Sequence, residues 1–227
     1  MSISVVIPCF NEEKYIPGCL NSILNQTVKP EKIIVVDNNS TDQTVKIAKQ
    51  SKSVIVIQET KQGIVYARNT GFNACHSEII ARCDADSLPP PQWLSKIITL
   101  FSKKQVDAVT GPVIFYDMAI KSSKIARLYQ KIIHVYQGYP TLIGPNMAIS
   151  KKIWEKVKNS VCYDESVIHE DIDLAIHIKQ KGGKIIFSKS LLSYTSGRRI
   201  VKNPLSFFGE YPLRIMRTYQ HHNKSQI

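Results

Sequence analysis

Four short runs rich in β-branched residues set the strongest constraint on what this chain can fold into: ISVVIP at 3–8, KIIVVD at 32–37, SVIVIQ at 53–58 and EIIARC at 78–83. Each is followed by a helix-forming stretch, and that alternation is the pattern of a mostly parallel sheet covered by helices. EEKYIPGCLNSILNQT (12–27) puts Ile16, Leu20, Ile23 and Leu24 on one helical face. Ser40 and Gln43 have the capping-box spacing, which predicts a helix starting there. GIVYARNTGFNAC (63–75) reads as a third helix, and PPPQWLSKIITLFSKK (89–104) as a fourth that starts on its prolines. VDAVTGPVIF (106–115) reads as a fifth strand.

The second half is less regular. SKIARLYQKIIHVYQGY (123–139) reads as a helix, TLIGPNMAIS (141–150) as a strand with its approach, and KKIWEKV (151–157) as a short helix. In ESVIHEDIDLAIHIKQKGG (165–183), Ile168, Ile172, Ala175 and Ile176 recur at helical spacing before a Gly182-Gly183 stop. KIIFSKSLLSYTS (184–196) is a strand pair or one bent strand. With no linker in view, the expectation is a single α/β domain over 1–203. Residues 1–112 form its nucleotide-binding half and 113–203 its acceptor half, and a basic, aromatic tail occupies 204–227.

A chain of 227 residues with 43% apolar and 21% charged residues can bury a real core, which excludes a disordered protein. Its longest apolar runs fall short of the ~18 residues a membrane span needs. The N-terminus has no basic region before its first apolar run, so no signal peptide is expected. The five cysteines form no Cys-x-x-Cys pair and read as reduced thiols, which points to a cytosolic protein. The net charge of +12 is uneven: from Lys179 onward there are ten Lys or Arg and one acid, Glu210. A basic tail favours anionic partners, among them nucleic acid, a membrane surface or a phosphate-bearing substrate.

In open α/β sheets ligands lie beyond the carboxyl ends of the strands. Here those ends carry acids: Glu12 after the first strand, Asp37 at the end of the second, and Asp84 with Asp86 after the fourth. Two carboxylates one residue apart repel unless a cation or a set of donors lies between them. As a local feature, Asp86 or Ser87 could equally cap the helix after Pro89, Pro90 and Pro91, and Asp37 could serve only an Asx turn. The convergence of three acid-tipped strands argues for a cleft. Arg68 is the only cation in the twelve residues from Gln62, a suitable partner for base, ribose or phosphate. The chain has neither a Gly-x-Gly-x-x-Gly loop nor a Walker loop, so a hard divalent cation, Mg²⁺ or Mn²⁺, on Asp86 with Asp84 behind it is the expected phosphate-binding device.

The blocks VVIPCFNEE, VVDNNSTDQT, ARNTGFNACHSEIIARCDADS, GPNMAISKKIWEKV and HEDIDLAIHI, in this order over roughly residues 3–187, resemble those of family 2 glycosyltransferases with the GT-A fold. The resemblance implies an inverting enzyme acting on a nucleotide-sugar donor, UDP-linked before GDP-linked, and a glycan or lipid-linked acceptor. It places Pro8, Phe10 and Glu12 on the base and ribose, Asp37 on the base, and Arg68, after Gly63, on the nucleoside. Asp84 and Ala85 would line the sugar side, Asp86 would bind the metal, Asn146 would line the acceptor side, and of the Glu170-Asp171 pair Asp171 would be the catalytic base. The same three acids of HEDID could also simply complement a helix dipole, each worth ~0.3–1 kcal/mol. Relatives often carry a late histidine ligand that SYTSGRRI lacks, so Arg198 and Arg199 are expected on the diphosphate instead. His169 reads as a surface residue, and Trp93 and Trp154 as core or acceptor-wall residues. The tail is expected either to pack as a plain helix or to lie on an anionic membrane.

Two other classes compete. A nucleotidyltransferase would show a Gly-rich basic loop after the first strand, which PCFNEEKYIP is not. A non-catalytic nucleotide- or nucleic-acid-binding module would leave the acids incidental, and an aromatic, basic face occurs only at the C-terminus, so nucleic acid is not the expected partner.

Overall fold

The structure, a computed structural model, describes residues 1–118, 124–203 and 209–224. Its main sheet has seven strands: β1 (Ile3–Cys9), β2 (Ile33–Asp37), β3 (Val54–Gln58), β4 (Ile79–Arg82), β5 (Ala108–Thr110), β7 (Met147–Ser150) and β8 (Ile185–Phe187), in the order β3-β2-β1-β4-β7-β5-β8. Every pairing is parallel except the two made by β7. A second, two-stranded parallel sheet joins β6 (Val113–Phe115) to β9 (Ser193–Thr195).

The sheet is buried on both faces, which is why its strands read as continuous apolar runs. Ile3, Val5, Ile7 and Cys9 pack toward α1 (Ile16–Leu24), α2 (Thr44–Ala48) and α4 (Trp93–Lys104). Val6, Ile34, Val36 and Ile80 pack on the other face against α3 (Ile64–Ala74), α6 (Lys151–Val157) and α7 (Glu170–Gln180). The strand order reverses at β1, with β2 on one side and β4 on the other, which opens the crevice where open α/β sheets hold their ligands.

Helix α5 (Lys124–Gln137) and helix α9 (Tyr211–Lys224) complete the described chain, together with the one-turn α8 (Arg198–Lys202). α9 packs on the domain: Ile215 and Tyr219 join Ile133 of α5 with Ile172 and Ile176 of α7. Within the expected tail, residues 204–208 and 225–227 lie outside the described residues.

Three expectations need correction. α2 begins at Thr44, not at Ser40, because the Ser40 hydroxyl accepts the backbone N–H of Asn11 and Asp42 instead accepts that of Thr44. The expected fifth strand is two strands in different sheets, broken at Gly111-Pro112. Pro112 has no N–H for a ladder, and a Cβ on Gly111 would lie 1.8 Å from the Leu191 carbonyl oxygen, so the chain turns out of the main sheet there. The strand pair of 184–196 is likewise split between the two sheets, β8 in one and β9 in the other.

Candidate active site

Arg82, the last residue of β4, is the hub of the site. Strand alternation turns Ile79 and Ala81 to the α1/α4 side and Ile80 and Arg82 to the α3/α7 side. A guanidinium only 2% exposed has to be met by carboxylates. It is met by three, two of them 88 and 89 residues further along the chain: Nη2 lies 3.2 Å from Asp84 Oδ1 and 3.1 Å from Glu170 Oε1, and Nη1 lies 3.3 Å from Asp171 Oδ1. Burial alone would lower the Arg82 pKa, but the three carboxylates outweigh it and raise it. Sequence reading missed Arg82, although a lone arginine inside a buried strand was itself the signal.

Asp171 is held at both oxygens. Oδ2 accepts the backbone N–H of Gly144 at 2.7 Å, and a Cβ on Gly144 would lie 2.8 Å from Arg82 Nη2 and 3.1 Å from Asp171 Oδ2, so only glycine lets this backbone approach so closely. The two acids of the pair are pushed apart. Burial and the neighbouring Glu170 raise the Asp171 pKa against the pull of Arg82. In Glu170 burial opposes ionisation, yet Arg82 prevails, helped by His169 and Arg68, and brings the pKa down to about 2. Glu170 is thus held ionised as a counter-charge to Arg82, while Asp171 takes up a proton more readily than a free aspartate.

The second cluster lies on the other side of Asp84. Asp86 is not a helix cap: its Oδ1 accepts the Thr195 hydroxyl at 2.9 Å and its Oδ2 the Arg198 Nε–H at 3.1 Å. Arg198 also pairs with Glu12 and lies over the Tyr15 ring, 4.3 Å from its centroid. Burial raises the pKa of both Asp86 and Glu12, with Arg198 opposing it. Glu12 Oε2 is buried without a hydrogen-bond partner among the described residues. An orphaned carboxylate oxygen beside a second carboxylate, with a guanidinium neutralising both, is a donor set that fits a hard divalent cation.

The other expected residues fall as follows. Asp37 is buried in register with Cys9, and its Oδ1 accepts the Ser40 N–H at 3.2 Å, the turn role open to it. Pro8 is buried in β1, whereas Phe10 stands 48% exposed at the mouth of the crevice. Ala85 joins the α1/α4 core, so it presents only backbone to the cleft. The Gly63 N–H donates to Asn38, and α3 starts there. Arg68 is fully buried; its Nε donates to Asn69 and its Nη1 to the Glu170 carbonyl, while Nη2 has no hydrogen-bond partner among the described residues. It thus braces the start of α7 from behind.

Asn146 is fully buried and fully engaged, accepting the Trp93 indole N–H at 2.8 Å and donating to the Pro112 and Leu191 carbonyls, so it supports the wall from inside. Trp93 and Trp154 are both core residues. His169 is buried, not a surface residue: it precedes the first turn of α7 and its N–H donates to the Thr218 hydroxyl of α9 at 2.7 Å. Arg199 is exposed one residue past Arg198.

A mostly parallel sheet whose switch-point strands end on acids, with a two-carboxylate loop between two charge clusters, has the GT-A-type fold. The Glycosyl transferase family 2 profile matches residues 4–158, and the chain belongs to that family. Glycosyltransferase AglE of Haloferax volcanii is 39% identical over 120 residues, which is 50% of this chain and 40% of that protein. The mannosyltransferase PcManGT of Pyrobaculum calidifontis, solved with GDP-Man and Mn²⁺, superposes with a TM-score of 0.68 at 22% identity, covering 86% of this chain and 56% of that one. TarS 1-349 of S. aureus, solved with UDP-GlcNAc, superposes with a TM-score of 0.69 at 21% identity, covering 87% and 59%. The chain spans about 40% or less of the length of the first curated relatives it matches.

Proposed function

We propose that the chain forms the catalytic domain of an inverting, metal-dependent glycosyltransferase, which moves a sugar from a nucleoside-diphosphate sugar to an acceptor hydroxyl. The observation that carries this reading is the pair of adjacent, separately balanced charge clusters: a poised Asp171 beside Arg82, and Asp86 with Glu12 beside Arg198. Asp86 would hold Mn²⁺ or Mg²⁺, with Glu12 and Asp84 as further oxygen donors. When bound, the cation supplies positive charge for the departing diphosphate.

The chain's own groups do the rest. Asp171 takes the proton of the acceptor hydroxyl as its oxygen bonds to the anomeric carbon and the bond from that carbon to the diphosphate oxygen breaks, a single displacement that inverts the centre. Arg82 and the Gly144 N–H keep the carboxylate aimed. Arg198, with Arg199 beside it, lies where a guanidinium can turn from Asp86 to phosphate oxygens.

UDP-sugars are the first donor choice and GDP-sugars the second, and neighbours solved with UDP-GlcNAc and GDP-Man support both. Among the described residues no helix is long and apolar enough to cross a membrane. Leu128, Ile132 and Val135 nevertheless stand exposed at helical spacing on α5, and Leu213 and Met216 on the basic α9, which suits a lipid-linked acceptor met at an anionic surface.

Thermal stabilisation by a panel of sugar nucleotides with Mn²⁺ tests the donor class. In transfer assays, Asp86→Ala loses the metal-dependent activity, and Asp171→Asn loses turnover by about 10²-fold or more while still binding nucleotide. Full activity of Asp86→Ala in EDTA refutes the metal role, and loss of nucleotide binding in Asp171→Asn in step with turnover refutes the base.

A further inference from the structure

Asp173 and His177, one turn apart on α7, and His222 on α9 form a second group of ligating side chains outside the donor crevice. Asp173 is completely buried, and Oδ1 lies 2.9 Å from His222 Nε2 and 3.5 Å from His177 Nε2, with all three atoms within 4.8 Å of one another. The carboxylate is aimed, because its other oxygen accepts the Cys162 N–H at 3.0 Å. On the far side of the ring, His177 Nδ1 lies 3.0 Å from Gln180 Oε1. An amide oxygen only accepts, so Nδ1 donates in this pairing; a neutral ring then turns the Nε2 lone pair toward the carboxylate, and a protonated ring turns a second N–H. At 3.5 Å the gap between Nε2 and the carboxylate oxygen is met either by that proton or by a metal ion shared with His222.

We propose that this group is a zinc-class metal site clipping α9 to α7. Imidazole nitrogen with carboxylate oxygen is the donor chemistry of Zn²⁺ and its neighbours. Bonds of about 2.0–2.1 Å place tetrahedral ligands roughly 3.3 Å apart, a separation that the two measured contacts bracket. The i, i+4 pair on one helix supplies two ligands on one face, and a metal-binding histidine donates its other N–H to an acceptor, as His177 does to Gln180. Solvent reaches the partly exposed His177 and supplies the fourth position. One turn before His222, the Thr218 hydroxyl accepts the His169 N–H, so the clip lies directly behind the turn that carries Glu170 and Asp171.

The test is zinc retention in the Asp86→Ala variant, which weakens the proposed crevice site, compared with His177→Ala in the same background, which separates this group from every other candidate donor. After equilibration with Zn²⁺ and desalting, the expected result is about one zinc per chain by atomic emission, with a visible absorption band when Co²⁺ is substituted. His177→Ala, on a partly exposed face, should weaken zinc binding at least tenfold with the fold intact by circular dichroism, and His222→Gln should do the same. A chain that retains no zinc overturns the proposal and leaves Asp173 paired with protonated histidine. Zinc retained equally by His177→Ala also overturns it, whether or not His222→Gln folds.

Discussion

Replacing Arg82 with methionine keeps the volume of the strand residue but strips the shared counter-charge from Asp84, Glu170 and Asp171. The cost can be worked from Glu170. A folded pKa of about 2 against an ordinary value of 4.5, reached chiefly through Arg82 against the opposing effect of burial, puts the cost at a few kcal/mol at neutral pH. That agrees with the ~3–5 kcal/mol expected when one partner of a buried ion pair is removed.

The lowered pKa fixes the sign: this stability is fully present above the unfolded pKa and is lost as pH falls toward 2. Asp171, whose pKa is raised, works the other way, since its ionisation costs the folded state stability as pH rises through its folded pKa. Urea unfolding followed by tryptophan fluorescence should show Arg82→Met weakened by about 3 kcal/mol at pH 7, a melting decrease on the order of 10 °C for a chain of this length. The deficit should narrow below pH 4. A variant within about 1 kcal/mol of the parent at pH 7, or a deficit that widens on acidification, would refute the hub role.

Gly144→Ala drives a methyl group into Arg82 and Asp171 and should cost ~1–3 kcal/mol by urea titration, together with a fall in kcat at unchanged nucleotide affinity. Trp93→Phe leaves Asn146 Oδ1 buried without a donor; a loss of ~1–3 kcal/mol is expected with sugar-nucleotide binding retained by calorimetry. The raised pKa of Asp171 predicts an acid limb in the kcat profile, with activity falling as pH drops through a pKa higher than that of a free aspartate, and that limb should disappear from any residual activity of Asp171→Asn.

The acid-tipped strand ends around the crevice were legible because their signals are local. A β-branched run that stops on an acid is visible in a few residues, and Glu12, Asp84 and Asp86 all lie where such runs end. What escaped depends on partners distant in the chain. Arg82 could be placed on the α3/α7 face by alternation, but its acids at 170 and 171 could not. Ser40 has a good capping spacing, yet Asn11 takes its hydroxyl, so the helix starts four residues later. Asn146 and His169 read as cleft and surface residues, since nothing near them reveals Trp93 or Thr218. The break at Gly111-Pro112 was written in the residues themselves, but why the chain turns there depends on Leu191.

That break gives the site unequal footing. Asp171 and Arg82 are anchored to the seven-stranded sheet and its helices, whereas Thr195 lies in the two-stranded sheet, whose three residue pairs, Val113 with Ser193, Ile114 with Tyr194 and Phe115 with Thr195, are tied to the Asp86 loop by the Ser87–Thr195 bridge. The two charge clusters are therefore carried by different sheets, and the Asp86 loop, bridged through Ser87 to Thr195, is what joins them.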